Sequence, residues 1–144
     1  MKKMMTLLLL LIPVLGFAQQ SADEILASND VNTGKVQHTL LASQFATMDE
    51  TSLDGVYKLL ADNGNLSEVR TFKEGKLDGT WLQYNEDGNL IAIANYKDDK
   101  KDGLWVIWDE NGTKRYELNY INGNRTGTWK SWNENGELLS EKTY

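Results

Sequence analysis

The chain contains no cysteine and a single histidine, His38, and these two shortages remove most catalytic chemistry at the outset. Without thiols there is no disulfide, no thiolate nucleophile, no thiolate zinc site and no cysteine behind a leader to carry a lipid. A serine triad would have to recruit His38, and no Gly-x-Ser-x-Gly elbow occurs. Walker and dinucleotide glycine patterns are absent as well. The nearest cation-binding string runs from Asp98 through Lys100 and Asp102-Gly103, with Asp109 at the twelfth place. Lys100 stands there where an oxygen ligand is required, so no calcium loop is expected. Many acidic side chains sit at turn positions, and no pair of them can be singled out for glycoside hydrolysis. The expectation is a protein that is not an enzyme and needs no cofactor or metal.

Long apolar runs are also scarce. The one run, residues 7–15, is shorter than the ~20 residues that span a bilayer. It follows Lys2 and Lys3 and ends at Gly16-Phe17-Ala18 before Gln19, so residues 1–18 read as a secretory signal cleaved near Ala18-Gln19. Export to the periplasm or beyond the cell is the expectation. Positive charge is in short supply too: 15 basic groups, less Lys2 and Lys3, against 21 acidic ones leave the mature chain at −8. Such a chain is repelled by nucleic acid and by anionic lipid, so no nucleic-acid partner is expected and membrane contact is disfavoured.

What the chain does have is glycine and aromatic residues in strict repetition. Gly55-Val56-Tyr57, Gly79-Thr80-Trp81, Gly103-Leu104-Trp105 and Gly127-Thr128-Trp129 recur every 24 residues. A second glycine follows nine residues later in each copy (Gly64, Gly88, Gly112, Gly136), and an aromatic column stands at Phe72, Tyr96, Tyr120 and Tyr144. A period of this length marks a repeat architecture. The units are 54–77, 78–101, 102–125 and 126–144, preceded by a linker or cap segment, 19–53.

Each unit reads strand, turn, strand, turn. The second glycine closes the first turn at positive φ. The second turn is Lys73-Glu74-Gly75-Lys76, Asp98-Asp99-Lys100 or Asn122-Gly123-Asn124, with Asp99 entering the left-handed region in place of glycine. If the hairpin closes around residue 87, Tyr84 faces Leu90, Leu82 faces Ala92 and Trp81 faces Ile93. One face then carries Leu60, Tyr84, Trp108 and Trp132 together with the Phe72-to-Tyr144 column. The other carries Tyr57, Trp81, Trp105 and Trp129, flanked by Ile91, Ile93, Leu139, Glu117, Asn119 and Thr143. Equivalent residues would lie about 9.5 Å apart, giving regular aromatic ladders. The leading glycines Gly55, Gly79, Gly103 and Gly127 would make room for neighbouring rings.

In the segment before the repeats, Ser21-Ala22-Asp23-Glu24 resembles a capping box, and residues 28–34 are turn-rich. Val36, Leu40, Leu41, Phe45 and Met48 recur at three to five residues, which predicts an amphipathic helix over 35–48 covering the first hairpin. His38 lies on it, in a solvated or capping role.

The pattern Gly-x-Trp-x-x-(Tyr/Trp)-x-x-x-Gly-x-Leu, as in Gly79 to Leu90, followed by Tyr-x-x-Gly-x-x-x-Gly, resembles the bacterial variant of the MORN repeat across residues 54–144. Tyr57, Leu60, Asp99, Lys114 and Thr126 depart from it. The resemblance implies an all-β fold, an elongated single-layer antiparallel sheet of successive hairpins with a short, partly helical N-terminal cap. It also implies use as an interaction or scaffold module, and similar members carry a toxin–antitoxin label of the YwqK type. The expected function is an exported binding or scaffold module using an aromatic sheet face or the open C-terminal edge. Neutralisation of a toxin and envelope glycan binding are the alternatives. A protein or peptide partner is expected, or a second copy added at the edge. The candidate binding residues are Trp105, Trp108, Trp129, Trp132, Trp81 and Tyr84.

Overall fold

The computed structural model describes residues 37–144. The signal, the Ser21–Glu24 helix start and the turn-rich break therefore lie outside the described residues.

From the N-terminal side the elements are β1 (Gln37–Leu41), α1 (Ala42–Phe45), a 3-10 turn (Glu50–Ser52), β2 (Gly55–Leu60), β3 (Leu66–Lys73), β4 (Lys76–Leu77) and β5 (Gly79–Tyr84). They continue as β6 (Leu90–Lys97), β7 (Lys100–Lys101), β8 (Gly103–Trp108), β9 (Lys114–Ile121), β10 (Asn124–Trp132) and β11 (Leu138–Thr143). All strands belong to one open sheet in the order β1-β2-β3-β5-β6-β8-β9-β10-β11, with β4 and β7 as short extensions pairing β3 and β6. Every pairing is antiparallel except β1 with β2. The sheet of successive hairpins implied by the repeat is the fold observed.

The turns follow their chemistry. Gly64, Gly88, Gly112 and Gly136 have φ between 78° and 85°, and in the second hairpin the Gly88 N–H closes the turn on the Asn85 carbonyl at 3.0 Å. Between units, Glu74-Gly75, Asp98-Asp99 and Asn122-Gly123 are two-residue loops with both φ positive, including Asp99 at 64°. That is the requirement of a type I′ turn, whose twist matches the flanking strands. These loops also stack on one another: the N–H groups of Gly75, Asp99 and Gly123 donate to the carbonyls of Leu53, Leu77 and Lys101 at 2.8, 3.0 and 2.8 Å. The Asp99 carboxylate accepts in turn from the Leu77 N–H at 2.8 Å.

The face assignment differs from the one read along the sequence, and one irregularity per hairpin explains it. Tyr84 does oppose Leu90, but Gln83 opposes Ala92, Leu82 opposes Ile93 and Trp81 opposes Ala94. Ile91 is thus the extra residue of a β-bulge, and the same shift recurs between Leu59/Leu60, Ile107/Trp108 and Ser131/Trp132. One extra residue flips every later side chain of the return strand to the other face. The Phe72-to-Tyr144 column therefore joins Tyr57, Trp81, Trp105 and Trp129, while Ile93, Glu117, Asn119 and Thr143 move to the opposite face.

The leading glycines answer to a second irregularity. Gly55, Gly79 and Gly103 have φ of 104°, 121° and 101°, and what approaches Gly103 is an asparagine, not a ring. A Cβ there would stand 3.3 Å from the Asn95 Cβ. The kink lets the Asn95 amide donate to the Leu104 carbonyl at 2.6 Å, and Thr71 and Asn119 do the same to Thr80 and Thr128 at 3.0 and 3.3 Å.

Residues 37–41 are a strand and not part of a helix. The free edge of β2 presents unpaired backbone groups, and the alternation of exposed and half-buried residues turns His38 and Leu40 inward. Of the apolar positions that had suggested a helical face, Leu41 and Met48 are 37% and 40% exposed. Only one turn of helix remains, and the chain from Ala42 to Asp54 crosses to a parallel strand while laying Phe45 and Leu53 on the sheet.

Two buried clusters result. Phe45, Leu53, Tyr57, Leu59 and Phe72, with Leu40 and Leu77 against them, lie under the cap. Val56, Val69, Leu82, Leu90, Ile93, Val106 and Trp108 pack on the opposite face, joined by Leu66 and Tyr84.

Candidate functional site

The aromatic columns interleave into one ladder because each Trp on a hairpin's first strand has a Tyr neighbour on the adjoining strands. Ring centroids step from Trp81 to Tyr96 (5.8 Å), Trp105 (5.2 Å), Tyr120 (5.6 Å), Trp129 (5.1 Å) and Tyr144 (5.1 Å). From Tyr96 onward successive planes are tilted by 58–60°, a herringbone in which ring edges meet ring faces.

Indole N–H groups lock the ladder to the backbone. Trp105 and Trp129 donate to the carbonyls of Asn95 and Asn119 at 3.0 and 2.9 Å, and Trp81 donates to the Glu68 carboxylate at 3.0 Å. Cations lie against the rings. The Lys101 ammonium is 4.3 Å from the Trp105 centroid and the Arg125 guanidinium 4.6 Å from that of Trp129. Lys142 sits 4.7 Å from Tyr144, and Arg70 bridges Phe45 and Trp81 at 5.2 and 5.0 Å. Burial raises the Tyr96 phenol above its ordinary pKa. For Tyr144, desolvation pulls upward, but the Arg125 hydrogen bond at 3.0 Å and the charges of Lys142 and Arg125 outweigh it and hold the phenol below the usual value.

Along this face the first unit is covered, and the others are not covered by any of the described residues. Phe45 meets Tyr57 and Phe72 at 5.6 and 6.0 Å, and His38 stacks on Tyr57 at 4.5 Å, so His38 serves the cap. Beyond the cap the face carries Ile107, Leu118, Trp105 and Trp129, all half-buried, and Tyr116, which is 46% exposed.

The six residues predicted for binding divide between the faces. Trp81, Trp105 and Trp129 belong to the ladder. Trp108 is 7% exposed inside the opposite cluster, with Tyr84 packed against that cluster. Trp132, half-buried on the same opposite face, lies under the Lys114 ammonium at 4.3 Å, and its carbonyl accepts from Arg115 at 2.9 Å. Sequence reasoning missed Ile107, which shares the face of Trp105 by simple alternation along β8, and Tyr116 and Leu118, which join the ladder face only once the bulge is counted. It also missed Lys101 and Arg125, although their 24-residue spacing was there to see. Among the described residues no group of three His, Cys, Asp or Glu side chains could hold a metal ion.

No curated protein and no solved structure matches the chain. Residues 77–98, 101–122 and 125–144 each match the MORN repeat variant. Together with the hairpin sheet that these segments build, the matches identify three consecutive units of the chain as MORN repeat variants.

Proposed function

We propose that this is an exported, non-enzymatic repeat module that binds a protein partner through the uncovered part of the ladder face. MORN repeats point to a repeat-based interaction module, and one observation supports the choice of face. Among the described residues, the same surface that the chain's own Phe45 covers on the first unit continues uncovered over the later ones, with half-exposed Trp105, Ile107, Leu118 and Trp129 and exposed Tyr116. Aromatic and branched side chains of this kind concentrate interface energy once desolvated. The aromatic ladder itself holds the sheet together, and the surface beside it is the part available to a partner. Export rests on the leader pattern of residues 1–18 and predicts a mature start at Gln19, which N-terminal sequencing of the secreted product tests directly.

The interface is tested by crosslinking and capture from the cell envelope, comparing Tyr116→Asp on the ladder face with Trp132→Ala on the opposite one. A partner retained by Trp132→Ala and lost by Tyr116→Asp supports the reading. Loss by Trp132→Ala alone would move the interface to the other face.

A further inference from the structure

The two faces of the third and fourth units differ in charge as sharply as in shape. In the chain as a whole acidic groups outnumber basic ones, 21 to 15. Yet from Ala92 to Tyr144 no ladder-face strand position is a carboxylate. The opposite face of the same strands carries Glu117 and Glu141, paired with Lys114 and Lys130 at 2.8 and 3.5 Å. The cations on the ladder side are Lys101 and Arg125 along the ladder and Lys142 beside it, and the contacts that hold them there are made with aromatic rings. Between these groups lies a hollow of about 310 Å³, floored by Tyr116, Leu118, Trp129 and Tyr144 and edged by Ser140 and Lys142. That is at the small end of ligand-sized cavities, which start at about 300 Å³, and suits one bulky side chain.

The covered first unit indicates how such a surface is filled. There a single turn of helix sets Phe45 on Tyr57 and Phe72, and the Arg70 guanidinium closes over the Phe45 ring at 5.2 Å. Across the repeat, Arg70 corresponds to Ala94, Leu118 and Lys142 in the later units. The fourth unit thus keeps a cation in the same place, resting on Tyr144 at 4.7 Å, and among the described residues no cap side chain stands there as Phe45 does beside Arg70.

We propose that the ladder face of the third and fourth units receives an acidic amphipathic segment of a partner protein. Its bulky apolar side chain enters the hollow between Tyr116, Leu118 and Trp129, and its flanking carboxylates meet Lys142 and Arg125. The proposal rests on the interaction reading above and adds the place and the chemistry. A second copy suits the site less well, because face-to-face pairing would set the lysines and arginine of one copy against those of the other.

The test uses the mature chain and two synthetic amphipathic peptides with identical Phe and Leu positions, one with Glu and one with Lys at the remaining sites, followed by fluorescence anisotropy. The Glu peptide should bind at least about ten-fold more tightly than the Lys peptide and weaken with salt. Leu118→Asp should cost the Glu peptide about 30-fold or more, as loss of an anchor contact does. Lys142→Glu should cost it roughly three- to ten-fold and improve the Lys peptide. Circular dichroism establishes that both variants fold, and Ser131→Ala, a small change beside the hollow, provides a milder probe of the same place. Equal binding of the two peptides, tighter binding of the Lys peptide, no binding of either, or binding indifferent to Leu118 and Lys142 would each overturn the proposal. So would saturable self-association, or binding to anionic vesicles, that Leu118→Asp abolishes. Because envelope capture with Tyr116→Asp does not depend on the peptides, failure here leaves the broader interaction reading separately decidable.

Discussion

Replacing Trp105 with alanine removes one rung from the middle of the ladder, and the structure sets the size of the effect. The indole touches Tyr96 at 5.2 Å and Tyr120 at 5.6 Å, two aromatic pairs worth about 0.5–1.5 kcal/mol each beyond burial. Its N–H bond to the Asn95 carbonyl at 3.0 Å contributes about 1 kcal/mol. The ring is only half-buried, so the apolar transfer contribution is roughly half that of a core aromatic, about 1.5 kcal/mol. These contributions overlap, and a loss of about 3 kcal/mol is expected, at the lower end of the ~3–5 kcal/mol range for fully buried aromatics. For a sheet of this size that lowers Tm by roughly 12 °C or more. Trp132, equally half-buried but with only Lys114 over its ring, should cost less, about 2 kcal/mol. The assay is urea unfolding of the mature protein followed by far-ultraviolet circular dichroism, which does not depend on the deleted fluorophore. A double-mutant cycle with Tyr120→Leu should return a coupling of about 0.5–1.5 kcal/mol. If Trp105→Ala costs less than about 1 kcal/mol, or no more than Trp132→Ala, the ladder is not what holds the hairpins together.

Three further predictions address the turns and the phenols. Gly75→Ala would place a Cβ 2.5 Å from the Thr51 carbonyl oxygen at φ 78°, whereas Gly88→Ala at φ 80° meets nothing within 4 Å. The second should cost about 1 kcal/mol, the conformational part alone. The first should cost at least about 2 kcal/mol and loosen the cap, and equal melting temperatures would refute the steric argument. Asp99→Ala gives up both the carboxylate bond to the Leu77 N–H and the tolerance of Asp for left-handed φ, so a loss of about 1–2 kcal/mol is expected. Asp99→Gly exchanges the bond for free φ and should melt within about 1 kcal/mol of wild type. In a tyrosinate absorbance titration, Tyr144 should ionise first and Tyr96 late. The depressed Tyr144 value means that its ionised form favours the folded sheet, so this contribution appears as pH rises through the lowered pKa. The raised Tyr96 value works the other way, its contribution being present at neutral pH and lost as pH rises through the folded pKa. Arg125→Gln should move the first phenol upward, and an unmoved titration would refute the assignment.

Much of the fold was legible because it is carried by local rules. The 24-residue period, the turn glycines and the Asp99 turn depend on the φ demands of tight turns, which the chain states residue by residue. The strand at residues 37–41 was not legible, since its apolar spacing fits a helix as well as a strand. The free edge of β2 decides between them, and it exists only after the hairpins have paired. The candidate site was half legible: Trp81, Trp105 and Trp129 stand out in the repeat, but their partners Ile107, Tyr116 and Leu118 do not.

The sequence by itself determined the repeat unit, where each hairpin turns and which residues carry rings, because these follow from glycine conformation and aromatic periodicity within one unit. Only the tertiary structure decided which rings share a face. A single bulged residue per hairpin, Ile91 in the second, reverses the alternation of the return strand, and bulges are set by cross-strand hydrogen bonding, not by the side chain that happens to be extra. That reversal draws the Trp and Tyr columns into one ladder and sets Lys142 and Arg125 beside an apolar floor that no other described residue covers.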